Sequence, residues 1–477
     1  PAAQDVSNAV TNKLVDFDAN MKFQPSLAES WQVSSDGTVW TFKLRKGVKF
    51  QDGTPFNAQA VVAHWQRVID PQNPSPNRNL WMNFKDVKAV DDSTVTVTTE
   101  KPFAPTLYYI AQESGGIASP AAIEKFKDDY QRNPVGTGPY MVESFTPGSK
   151  VVLKRFDDHW KGKPLLDKIE FRAVPEAQTR LSMLEAGQAD LINDVAPTDA
   201  QRVTANANLQ LLRTKGLRPF WIEFNVNLPM FQDVNLRRAL NHAVDKEAIV
   251  KNIFMGYASV MDSPASPSIN GYKKIGAYEY NPTKAKEMLA QAGWTPGAGG
   301  VLQKNGQPLK FTMMTADGLF ANDVVVTEAV QANLKAVGCD VSIQKIEAAS
   351  YWNVLRKPIN EMTMQTCFFG FNPSNGDVGY HLAWVWKGNL APEKGPTNWN
   401  LMWYKNDKVD ELLTQSDVTV EEPKRMEILG EVQKLIWDDD PCIWLYTPEL
   451  LGAASKKVSG TFIWPTLFYS VQGASKE

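Results

Sequence analysis

The stretch Val39-Trp40-Thr41-Phe42-Lys43-Leu44-Arg45-Lys46-Gly47-Val48-Lys49-Phe50 alternates apolar and polar side chains over its first seven residues. Successive side chains of a strand point to opposite faces, so this alternation predicts a half-buried β-strand. Lys46-Gly47 turns the chain toward Val48-Lys49-Phe50, which makes the structure antiparallel. After a second turn at Asp52-Gly53, Pro55-Phe56-Asn57 leads into Val61, Trp65 and Val68 at helical spacing, a cap followed by an amphipathic helix. Further strands are expected at Thr94 to Thr98 and Val151 to Arg155.

Beyond this β-rich first third the pattern becomes α/β. Asn281-Pro282 offers a cap and a proline at the first helical position, Ala285, Met288 and Leu289 form an apolar face, and Gly293 stops the helix. Asn305-Gly306 predicts a hairpin turn. A helix carrying Val326, Val330, Leu334 and Val337 ends at Gly338, and Cys339-Asp340-Val341-Ser342-Ile343 alternates as the next strand, a unit of a layered sheet.

The chain has 477 residues, 43% of them hydrophobic, which is too much for one core and predicts two or more domains. The net charge of -3 comes with no basic stripe, so no nucleic-acid or anionic-lipid partner is expected. No apolar run reaches the ~18 residues a membrane span requires. The chain starts at Pro1 without an initiator Met, as expected after removal of a signal segment or trimming. Cys339, Cys367 and Cys442 lie far apart in apolar runs and read as buried thiols. Gly136-Thr137-Gly138 lacks the third glycine of a dinucleotide loop and reads as a turn. HExxH, GxSxG and GxxxxGK patterns do not occur, and the four histidines are too scattered for a preassembled metal site. His64 and His242 read as surface or interface residues of amphipathic helices, and His381 as part of an aromatic-rich loop. No catalytic residue, cofactor or metal is assigned.

Leu27-Ala28-Glu29-Ser30-Trp31, Ser35-Asp36-Gly37, Trp40-Thr41-Phe42, Leu44-Arg45 and Asp52-Gly53 resemble the signature block of the family 5 extracellular solute-binding proteins of ABC importers. Further landmarks follow in order: Val135 to Tyr140, Glu185 to Asp190, Asn225-Val226, Val234 to Asn241, Tyr278 to Gly293, and Trp437 to Tyr446. The resemblance covers essentially the whole chain and looks closest to glutathione-binding proteins. It implies an α/β fold of the two-lobed, type II periplasmic-binding-protein kind. A larger lobe would comprise 1–228 and 445–477, with an added β-rich subdomain at about 20–155; a second lobe would span 229–444, with the hinge near 225–228 and 441–446. It further implies a monomeric, periplasmic or lipid-anchored protein that traps a small polar solute, a short peptide or glutathione, and passes it unaltered to an inner-membrane permease. The alternatives are a binder of a nickel-type metal chelate or of a glycoside. Members of the family begin with an extra strand and a Leu-Asp-Pro turn, and this chain starts at that turn's proline.

The candidate ligand residues follow from the same resemblance. Asn372, Ser374, Asn375, Asp377 and Tyr380 lie in the segment matching the family's ligand loop. Dipeptide binders carry at the Ser374 position an Asp that pairs with the ligand's ammonium; Asp377 is the substitute candidate, with turn formation as its alternative. The Arg that such binders use near residues 317–330 is missing, as is the Arg that nickel-chelate binders place at Gly116. Gly115 and Gly116 are instead expected to bring backbone N–H groups close to an anion. Trp81, Trp221, Trp399 and Asn400 are candidate cleft residues, core packing being the alternative for the tryptophans. Arg218, just before Phe220-Trp221, is the candidate partner for a ligand carboxylate, its alternative a surface ion pair.

Overall fold

A computed structural model describes residues 2–72 and 78–477. Ala28–Val33 (β1), Val39–Leu44 (β2), Phe84–Asp91 (β3) and Thr94–Thr99 (β4) form an antiparallel sheet in the order β1-β2-β4-β3. The alternation read in β2 is realised: Trp40, Phe42 and Leu44 are buried while Lys43 is exposed. The helix Ala58–Ile69 begins at Asn57, whose side chain accepts from the Ala60 N–H at 3.0 Å. Trp65 on its buried face packs edge-on against Phe84 of β3.

The larger sheet is mixed. Its strands are Leu191–Ile192 (β5), Leu209–Lys215 (β6), Phe220–Phe224 (β7), Ala258–Val260 (β8), Lys310–Asp317 (β9), Asp340–Glu347 (β10), Thr366–Gly370 (β11) and Cys442–Ser455 (β12). β9 runs parallel to both β10 and β11, and the helix Asp323–Ala336 joins β9 to β10, the crossover that a parallel pair requires. β7 is antiparallel to β11 on one side and to the first half of β12 on the other. The second half of β12 pairs instead with β6 and β5. One continuous 14-residue strand therefore ties two sets of partners together, and the chain passes from one set to the other through 216–219, between β6 and β7.

Behind β7, Trp221, Trp386 and Trp444 form a fully buried aromatic group with centroids 5.4–6.5 Å apart. All three cysteines are free and buried. Gly136 and Gly138 press against the end of the helix Ala2–Val10, where an added Cβ would come within 2.5 Å of backbone carbonyl oxygens; close approach is the reason for glycine there. The histidine readings need correction. His64 and His242 are buried, and His381 lies on the helix Val378–Trp386 with its Nε2 at 2.9 Å from the Pro264 carbonyl. No helix among the described residues is long and apolar enough to cross a membrane.

Candidate functional site

In α/β sheets, ligands settle outside the carboxyl ends of parallel strands, where the loops diverge. Here those are the ends of β9 and β11, and the chain leaving β11 is the loop that carries Asn372, Ser374, Asn375 and Asp377. β7 starts at the same edge. Phe220 is paired with Gly370, so continuing the antiparallel count sets Arg218 opposite Asn372, just past the last rung of the ladder. The Arg218 guanidinium lies 5.7 Å from the centre of the Phe320 ring, in the loop after β9. Its Nε is buried and meets no acceptor among the described residues. Burial lowers its pKa, and no carboxylate among the described residues offsets that. Arg218 as a whole is half-buried, and a guanidinium with part of its donor set removed from water and unpaired is one that an anionic group would stabilise.

Asp377 does the opposite of what its sequence position suggested. Both of its carboxylate oxygens are taken by Arg425, at 3.0 and 2.7 Å, with both side chains fully buried. The same carboxylate caps the helix Val378–Trp386 by accepting from the N–H groups of Gly379 and Tyr380. It is a cap and half of an internal ion pair, and the ammonium-binding expectation is corrected accordingly. Ser374 shares a hydrogen bond with Tyr380, whose hydroxyl burial pushes up to about 12. Asn375 is also buried, its Oδ1 accepting from the Asp377 N–H at 3.1 Å, with an unpaired Nδ2.

The aromatic candidates divide. Trp399 is partly exposed, stacks on Phe369, and meets Trp352 edge-on at 5.2 Å, with the Arg356 guanidinium 4.3 Å above its ring. Tyr380 reaches Tyr109, 6.1 Å away in the helix Thr106–Ala111. Trp81 and Trp221 are 1% and 0% exposed, packed against Trp65 and Phe84 and within the tryptophan group respectively, so both are core residues rather than cleft walls. Asn400 is buried and spends its Nδ2 on the carbonyls of Lys387 and Tyr404, which shapes its own loop. Gly115 and Gly116 also need correcting: their N–H groups donate to Gln112 and Glu113 carbonyls. An added Cβ would meet the Ile110 carbonyl oxygen at 2.1 Å or Thr11 Oγ1 at 2.3 Å. Close packing, not anion contact, requires these glycines.

A small cavity of about 60 Å³ is lined by Asp5, Lys13, Met21, Gln112 and Glu113 from the first part of the chain and by Ser374 from the loop after β11. Gln112 is buried there with an unpaired Nε2. Burial raises the pKa of Asp5 to about 6 and also raises that of Glu113. Phe320, Gln112 and Arg425 were not identifiable in advance, because their roles arise from loops and helices far apart in sequence.

The mixed sheet, the long shared strand and the loop-lined edge are those of type II periplasmic binding proteins. HbpA2 of Haemophilus parasuis superposes with a TM-score of 0.85 at 27% identity, covering 100% of this chain and 95% of that one. NikZ of Campylobacter jejuni, solved in complex with Ni(L-His), superposes with a TM-score of 0.82 at 25% identity over 98% of this chain and 94% of its own. In sequence, the glutathione-binding protein GsiB of Escherichia coli O1:K1 is 31% identical over 474 residues, 99% of this chain and 90% of that protein. Residues 22–391 match the model of the bacterial extracellular solute-binding proteins, family 5. The chain belongs to that family, whose members are the solute-binding subunits of ABC importers.

Proposed function

We propose that this chain captures a short peptide or glutathione-like solute between two closing lobes and delivers it, chemically unaltered and as a monomer outside the cytoplasm, to a membrane permease. The observation that carries the reading is Arg218, a half-buried guanidinium whose buried Nε has no acceptor among the described residues, on the segment that links the two sets of strands. The relative named for glutathione binding supports the solute class. Strand pairing supports a crossing between lobes at 216–219 and 447–449, slightly displaced from the 225–228 and 441–446 inferred from the sequence, because β7 is hydrogen-bonded to β11 and to Cys442–Tyr446. A ligand held at this crossing ties its own binding to the angle between lobes, and few residues need to change backbone conformation.

Arg218, Asn372, Ser374, Tyr380 and Trp399 are the proposed ligand contacts. Calorimetry with glutathione, di- and tripeptides, nickel–histidine and an oligosaccharide, paired with small-angle scattering, tests the reading. The expected result is exothermic binding of a peptide-like member with a decrease in radius of gyration. Binding of the nickel chelate or the oligosaccharide alone, or turnover of any peptide, overturns it.

A further inference from the structure

The corner that holds Arg218 contains a second unpaired group of opposite polarity. Asn372 Oδ1 is a buried acceptor that receives no hydrogen bond among the described residues, and continuing the β7–β11 register two residues past its last pair, Phe220 with Gly370, sets Asn372 opposite Arg218. One ligand must therefore bring an anion and a donor side by side. A carboxylate alone answers only the guanidinium. An ammonium next to it would answer the asparagine, but it would sit beside the Arg218 guanidinium, and the nearby loop carboxylate, Asp377, is fully engaged by Arg425. Ser374, already hydrogen-bonded to Tyr380, offers no charge. An uncharged amide N–H satisfies the acceptor without that repulsion.

Building on the capture of a peptide-like solute, we propose that this corner recognises the last residue of an acylated amino acid or peptide, –CO–NH–CHR–COO⁻. Its carboxylate binds Arg218, its amide N–H binds Asn372 Oδ1, and the N-terminal ammonium is not read. The specificity is thus for a free C-terminus with tolerance at the N-terminus. A guanidinium fork holds a carboxylate in two parallel hydrogen bonds, which gives the carboxylate end its orientation as well as its affinity. The Phe320 ring, 5.7 Å from the guanidinium, adds a cation–π contact that helps to hold Arg218 in place.

The test is calorimetry on the full chain with glutathione and trialanine, each compared with its N-acetyl form and its C-terminal amide. N-acetylation is expected to change Kd by less than about 3-fold, and amidation to weaken binding on the order of 30-fold or more, the range for truncating one partner of a buried charged pair. Arg218→Gln is expected to bind acid and amide equally, and Asn372→Ala to weaken acid and amide alike by roughly 10-fold. Thermal melts of both variants confirm that they fold. Equal losses on acetylation and amidation, or retained acid preference in Arg218→Gln, overturn this inference while leaving solute capture standing. Failure of every probe to bind the wild-type chain removes both.

Discussion

Replacing Glu223 by Gln will change how stability depends on pH. Glu223 is fully buried in β7, between Cys367 of β11 and Cys442 of β12. Trp221 Nε1 lies at 3.4 Å from its Oε2, and its Oε1 has no partner among the described residues. Burial pushes the carboxyl from 4.5 up to about 8. Between those values the folded chain holds a proton that the unfolded chain has released, so this group's stabilising share is complete below pH 4.5 and is lost as pH rises toward 8. At about 1.36 kcal/mol per unit, the loss from pH 4.5 to pH 7 comes to roughly 3 kcal/mol. In a cooperative unit of 150–250 residues that is a Tm change of about 6–12 °C. Other groups titrate nearby, among them His64 and His381, lowered by burial to about 4, and Lys246, lowered by burial to about 7. Because both proteins share them, the difference between wild type and Glu223→Gln isolates Glu223. Thermal melts of the two at pH 5 and pH 7 should show the wild type losing ground against the variant as pH rises. Parallel shifts of the two proteins would refute the assignment of a protonated, buried Glu223.

Arg218→Gln removes a half-buried cation whose Nε has no acceptor among the described residues and should raise the ligand-free Tm, by the equivalent of about 1 kcal/mol, while weakening solute binding; a lower Tm would mean that Arg218 has a structural partner. Asp377→Asn breaks the buried pair with Arg425 and should cost about 3–5 kcal/mol in denaturant unfolding without switching preference between N-acetylated and free peptides. Trp81→Ala should destabilise by about 3–5 kcal/mol and leave affinity unchanged once folded, whereas Trp399→Ala should lower affinity roughly 10-fold with a smaller effect on Tm. Gly138→Ala, whose methyl would strike the Ala9 carbonyl oxygen at 2.5 Å, should lower Tm, and an unchanged melt would show that the helix Ala2–Val10 can shift to admit it.

Local patterns carried the reading wherever a residue's role depends on its near neighbours. The alternation of β2, the Asn57 and Asn281 caps, and the Asn305-Gly306 turn are decided within a few residues, because strand pleat, helix start and turn geometry are short-range properties of the backbone. The family resemblance came from the same kind of information. Ordered motifs such as Leu27 to Trp31 and Val234 to Asn241 identify a fold without specifying a ligand.

What the tertiary structure alone decided is which charges are free. Asp377 and Arg218 look equally available in the sequence, one in a polar loop and one before a strand. Folding brings Arg425, 48 residues away, onto Asp377 and, among the described residues, brings no acid to Arg218. Tryptophans divide on the same ground: Trp81 and Trp399 are chemically alike, yet one is enclosed by Trp65 and Phe84 and the other stays partly open. Electrostatic pairing and burial depend on distances between segments remote along the chain, and composition and periodicity do not encode those distances.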